Sequence, residues 1–158
     1  VKSAKQMLDH MAGFAKHIFD STSDHEVIPM WVVESETEVV PILAPFSGDD
    51  EKNASIAFVR EKAKSMNANV VGFMCEAWVV EKIGADIDEA EKIIPSEHDD
   101  RREIIQIHAE DRDGNVAIGS YYILRPEHGT PKLSPFRLYD DDMKIGGRFT
   151  SILEKVKH

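Results

Sequence analysis

Residues 70–82, VVGFMCEAWVVEK, constrain the fold more than any other stretch, being the longest nearly uninterrupted apolar run in the chain. β-Branched and aromatic residues dominate its ends, which favours a long buried strand over a helix. Side chains alternate along a strand, so Val70, Gly72, Met74, Glu76, Trp78 and Val80 share one face, and Val71, Phe73, Cys75, Ala77 and Val79 the other. Both faces are apolar, which places the strand centrally and covers it on both sides. Glu76 interrupts this pattern. A carboxylate in such a run must be paired, protonated or at a wet edge.

The segments around this strand alternate between the two periodicities. Residues 2–19 read as an amphipathic helix, with Ala4, Met7, Leu8, Met11, Ala15 and Ile18 at three- and four-residue steps; His10 and His17 flank the stripe as solvated side chains. Residues 27–34 and 39–46 form two strands around the turn 35–38. Pro29, Pro41 and Pro45 place that hairpin at or near a sheet edge, because proline has no donor to give a ladder. Trp31 is expected to pack under the first helix. Acidic residues 49–51 open a second helix that runs to about Met66. Residues 83–100 make a long connection with room for a short acidic helix.

Residues 101–111 return as a strand, with Ile105, Ile107 and Ala109 on one face and Arg102, Ile104, Gln106, His108 and Glu110 on the other. Asp113-Gly114 marks a tight hairpin turn into a partner strand over 116–125. A last strand over 132–140, broken by Pro135, and a C-terminal helix carrying Phe149, Ile152, Leu153 and Val156 complete the pattern. Short links between successive strands favour antiparallel pairing. The expected fold is a single α+β domain: a mostly antiparallel sheet of five to six strands with N-terminal, middle and C-terminal helices packed on it.

Composition bounds function more than it assigns it. A chain of 158 residues suits one domain, which buries roughly two-thirds of its unfolded surface. The formal net charge of −10 repels phosphate backbones and anionic headgroups, arguing against direct nucleic-acid or membrane binding. One cysteine allows no internal disulfide, which fits a reducing compartment, and no apolar stretch reaches spanning length. A soluble cytoplasmic protein is the expectation.

The candidate chemistry is a cluster across the central strands. If the run 70–82 pairs with 101–111, Glu76 can lie near His108 or Glu110, and a carboxylate–imidazole set binds divalent metals or works in general acid–base catalysis. The bland alternative, and the favoured one, is an ion pair from Glu76 to Arg102 or Arg101 across neighbouring strands. Asp111, Asp113 and Asn115 resemble part of a calcium loop, but no bidentate carboxylate follows at the required position, so a hairpin turn is the reading. Cys75 sits among Phe73, Met74 and Ala77, where burial raises a thiol pKa and removes reactivity. The motifs of phosphate loops, zinc helices and nucleophile elbows are absent.

Glu76-Ala77-Trp78, Pro95-Ser96-Glu97, Asp100-Arg101-Arg102-Glu103 and Glu110-Asp111-Arg112 before a glycine turn together resemble small uncharacterised bacterial and phage proteins. That resemblance spans residues 70–114 and implies a compact prokaryotic-type domain with no mechanism attached. From the residues themselves, the first functional reading is a non-catalytic protein-interaction or regulatory module, with a protein partner or self-association and no cofactor. The second is a small metal-dependent or acid–base enzyme using Glu76, His108 and Glu110. The third is an acidic mimic of nucleic acid.

Overall fold

The computed structural model describes residues 3–44, 48–79 and 102–139. Two helices, α1 (Ala4–Ser21) and α2 (Asp49–Met66), accompany seven strands: β1 (Met30–Glu34), β2 (Val39–Leu43), β3 (Val70–Val79), β4 (Arg102–Asp111), β5 (Val116–Leu124), β6 (Lys132–Leu133) and β7 (Arg137–Leu138). The strands form one sheet in the order β2-β1-β3-β4-β5-β6, with β7 also pairing β5, and every pairing is antiparallel. The α+β class therefore holds. Seven strands replace the expected five to six because Pro135 splits the last segment into two short strands, both carried by β5. The expected C-terminal helix and the short acidic helix in the 83–100 connection lie outside the described residues.

The apolar run sits where its composition puts it. β3 pairs β1 on one side and β4 on the other, and its two faces feed two separate cores. Val70 and Met74 join Met7, Leu8, Met11, Ala15 and Phe19 of α1, together with Ile105, Ile107, Ala109 and Tyr121. Val71 and Phe73 join Ile56, Val59 and Ala63 of α2 with Trp31 and Val33. Burying a large apolar side chain contributes about 1.5–3 kcal/mol, so these two layers carry most of the stabilisation. Gly72 is what lets α1 settle onto the sheet: a Cβ there would stand 2.1 Å from Met11 Sδ and 2.9 Å from Met7 Cγ. Trp31 is fully buried, yet beneath α2 and not α1. The odd residues of β1 face α2, a parity set by its register with β3.

The hairpin β1–β2 lies at the sheet edge, as its prolines require. Ser35 N donates to Glu38 O and Ala44 N to Pro29 O. Counting along the ladder between these bonds, Pro41 opposite Val32 falls at a position whose amide would point away from β1. The edge thus lacks a donor at its centre, which discourages another strand from adding there.

Helix ends obey local chemistry too. Ser3 caps α1 by accepting from Gln6 N, and Asn67 closes α2 in the left-handed conformation, with φ 53°. No described helix is long and apolar enough to cross a membrane.

Candidate functional site

The β3–β4 register decides the fate of the expected cluster. Glu76 lies opposite Ile105, Phe73 opposite His108 and Val71 opposite Glu110. Even-numbered residues of β3 therefore share a face with odd-numbered residues of β4. Glu76 falls on the α1 face, while His108 and Glu110 fall on the α2 face. The three candidates do not converge, and a register one residue different would have put them on one face. Among the described residues, no three His, Cys, Asp or Glu side chains group as metal ligands.

Each candidate has a local explanation. Glu76 Oε1 accepts a hydrogen bond of 2.9 Å from Val27 N, which fixes the chain as it enters β1. Among the described residues its partner is this backbone amide and not Arg102. Arg102 instead lies over the Tyr122 ring, 5.0 Å from its centroid, and Arg101 lies outside the described residues. Burial pushes the Glu76 carboxyl above its ordinary pKa, and the Val27 bond pulls only partly the other way. His108 is enclosed by Phe73 and Trp31, with ring centroids 5.7 and 6.3 Å away. Its Nε2 is sealed from solvent without a hydrogen-bond partner, and burial pushes the imidazole down to about 4. Glu110 is buried on the same face. Cys75 is the inert thiol its neighbours imply, pushed up to about 11 by burial.

Asp111, the first residue of the calcium-loop fragment, has a structural post. Its Oδ1 accepts from Asp113 N at 3.0 Å and Asn115 N at 3.1 Å, holding the tight turn that Gly114 completes at φ 89°. Its Oδ2 accepts from Ala4 N at 3.1 Å, at the positive end of α1. One carboxylate thus satisfies the hairpin and anchors the first helix to the sheet. The turn reading stands, and Asp111 does more within it than the sequence suggested.

The feature that sequence reasoning missed lies at the opposite end of the strands. A cleft of about 870 Å³ runs over the ends of β3, β4 and β5 and under the 125–131 loop that joins β5 to β6. Trp78 forms part of its wall and is 42% exposed, whereas Trp31 is fully buried. Among the described residues, Arg102, Arg125 and Lys132 border the cleft against one carboxylate, Glu103, with the His128 imidazole alongside. Arg125 Nε is held by Glu103 Oε2 at 2.7 Å. Tyr122 is sandwiched between functions: Arg102 over its ring and Arg137 Nη1 donating to its hydroxyl at 3.0 Å. In a chain of net charge −10, the described lining holds three cations against one anion. Its volume is in the roughly 300–1,000 Å³ range of small-molecule sites. Trp78, Arg102 and Arg125 are each more than twenty positions from the next, and the set has no common spacing, which left no sequence signal to find it.

No protein-family model, no curated protein and no solved structure matches this chain.

Proposed function

We propose that this domain is a non-catalytic binding module that takes a small anionic ligand with an apolar body in the cleft at the β3–β4–β5 end. The observation that carries this reading is that Arg102, Arg125 and Lys132 border the same strand-end cleft as the half-exposed Trp78 in an otherwise acidic chain. Aromatic walls supply area at low entropic cost, and guanidinium groups supply charge-assisted bonds to carboxylate or phosphate. Negative charge over the rest of the surface keeps long anionic polymers away, so the ligand is small.

Trp78 supplies the test. Emission changes that Trp78→Phe abolishes report the cleft, because Trp31 is fully buried away from it against Phe73 and His108. Octanoate and adenosine monophosphate serve as anionic probes, with octanol as the uncharged control. The expected result is a saturable, salt-sensitive emission change with at least one anion, weakened about tenfold by Arg102→Ala, equivalent to about 1.4 kcal/mol. Equal response to octanol, or no response to either anion, removes the proposal.

Self-association is the second reading, and one observation favours it. Val39 and Leu43 of β2, with Ile28 beside them, are each more than half exposed. A second copy would cover this apolar face, since Pro41 weakens the edge for strand addition. Sedimentation across a concentration series decides it: a monomer throughout leaves the face without that role.

A further inference from the structure

A second cavity, of about 480 Å³, lies on the other side of the sheet from Trp78. Phe73, Cys75 and Ala77 alternate onto this face of β3, and Gln106 and His108 onto the same face of β4. Lys52, in the first turn of α2, Pro29, just before β1, and Glu76, between Cys75 and Ala77, complete the walls. All of these residues but Glu76, whose place on β3 is toward the α1 face, belong to the α2 side: the cavity is the gap left where the first turn of α2 does not press down on β3 and β4.

We infer that this cavity is a binding site for a small uncharged molecule with an apolar body and one hydroxyl or amide group. The walls favour that class for three reasons. The ring of Pro29, the ring of Phe73, the Ala77 methyl and the Cys75 thiol give an apolar lining. Gln106 has no hydrogen-bond partner among the described residues, so its amide offers a donor and an acceptor to an occupant. His108 lines the cavity, and its buried Nε2 has no hydrogen-bond partner among the described residues.

Charge is disfavoured by a comparison the protein makes on itself. Lys52 draws the Cys75 thiol toward its ionised form, but burial outweighs it and the thiol stays neutral. Lys52 and Glu76 are the one cation and the one carboxylate of the described lining, so no excess charge there favours an ionic ligand over its desolvation. The neighbouring imidazole is neutral at physiological pH as well. The cavity and the strand-end cleft therefore select opposite ligand chemistries.

Cys75 is the sole cysteine, which makes alkylation a site-specific reporter. The experiment measures the rate of N-ethylmaleimide addition to the full chain by intact mass, with benzyl alcohol as the uncharged probe and benzoate as its anionic near-isostere. Benzyl alcohol should slow alkylation several-fold and saturably, benzoate should not, and the Trp78 emission should stay unchanged. Gln106→Leu should remove most of the protection, and Ala77→Phe, which fills the cavity, should remove all of it. If circular dichroism shows Ala77→Phe misfolded, Gln106→Leu carries the test alone. No protection by benzyl alcohol overturns the site, and protection by benzoate equal to or greater than that by benzyl alcohol overturns the ligand class. Protection that survives Gln106→Leu undiminished overturns the amide's role, and a Trp78 response to benzyl alcohol moves the binding to the cleft.

Discussion

The two ends of β3 and β4 are built from the same pair of strands and treat their polar groups in opposite ways. At the β3 start and β4 finish, polar groups are consumed by the fold. Asp111 holds both the hairpin turn and the N-terminus of α1, Asn69 N donates to Glu34 O, Arg112 N donates to Asn69 O, and Arg112 Nη1 reaches Asn67 Oδ1 at 2.6 Å. At the other end, Trp78, Arg102, Arg125 and Lys132 border open space. A structural end has little capacity left for a ligand; a binding end keeps its cations within reach of one. If this contrast is right, substitutions at the first end cost stability, and substitutions at the second cost binding.

The largest effect belongs to Asp111→Ala. It removes an acceptor from Ala4 N, Asp113 N and Asn115 N together and takes a charge from the α1 dipole. Hydrogen bonds to charged groups contribute about 1.5–3 kcal/mol each, but the exposed turn amides recover water, so a net loss of about 3 kcal/mol is expected in urea unfolding. Asp111→Asn should recover part of it. A loss below 1 kcal/mol would erase the distinction between the two ends.

Next comes His108, between the two ends on the α2 face. Its folded pKa, about 4, lies below the ordinary value of 6.5. The unfolded chain therefore binds the proton more readily, and stability falls as pH drops from 6.5 through 4. The full difference is worth about 3 kcal/mol. Melting temperatures of His108→Phe should decline less over this window than those of the parent. Parallel pH profiles would show that the ring protonates without cost.

How much of this was legible in the sequence follows from what each inference needs. Alternation alone assigned the faces of β3 and β4 correctly, and Pro41 announced an edge, because both depend on residue type and period. Relative register does not. It is set by contacts between distant segments, and it alone decided that Glu76 and His108 part company. Trp31 went under the wrong helix for the same reason. The cleft was invisible since its cations come from β4, the 125–131 loop and β6, and only the fold brings them near Trp78.

A smaller effect is expected at Gly72, where the α1 layer meets β3. Gly72→Ala sets a methyl against Met11 and Met7. Both are flexible side chains that can move aside, so overpacking costs about 1–3 kcal/mol and the fold survives. Denaturant midpoints measure it. A neutral result would mean that α1 lifts from the sheet without loss.

Glu76 tests the boundary between the two regimes. Its carboxyl pKa is raised by burial, so the folded state holds the proton longer than the unfolded state, and stability falls as pH rises through the carboxylate range. Glu76→Gln keeps an oxygen acceptor for Val27 N and removes the ionisation, so it should be neutral or mildly stabilising at pH 7. Glu76→Ala strands the Val27 amide and should cost about 1 kcal/mol. If Gln proves as damaging as Ala, charge at this position matters for a reason that the Val27 bond does not supply.

The smallest stability change belongs at the binding end, and its smallness is the point. Lys132 is exposed, and no ion pair or hydrogen bond among the described residues employs its ammonium. Lys132→Ala should shift unfolding by no more than about 0.5 kcal/mol. An anion in the cleft gains from that charge at several ångströms in a half-solvated setting, which is worth more than the residue gives the empty fold. The same variant should therefore weaken octanoate or adenosine monophosphate binding several-fold while its melting curve overlays the parent's. Loss of stability without loss of binding would invert the comparison, making the cleft a scaffold whose cations serve only the fold.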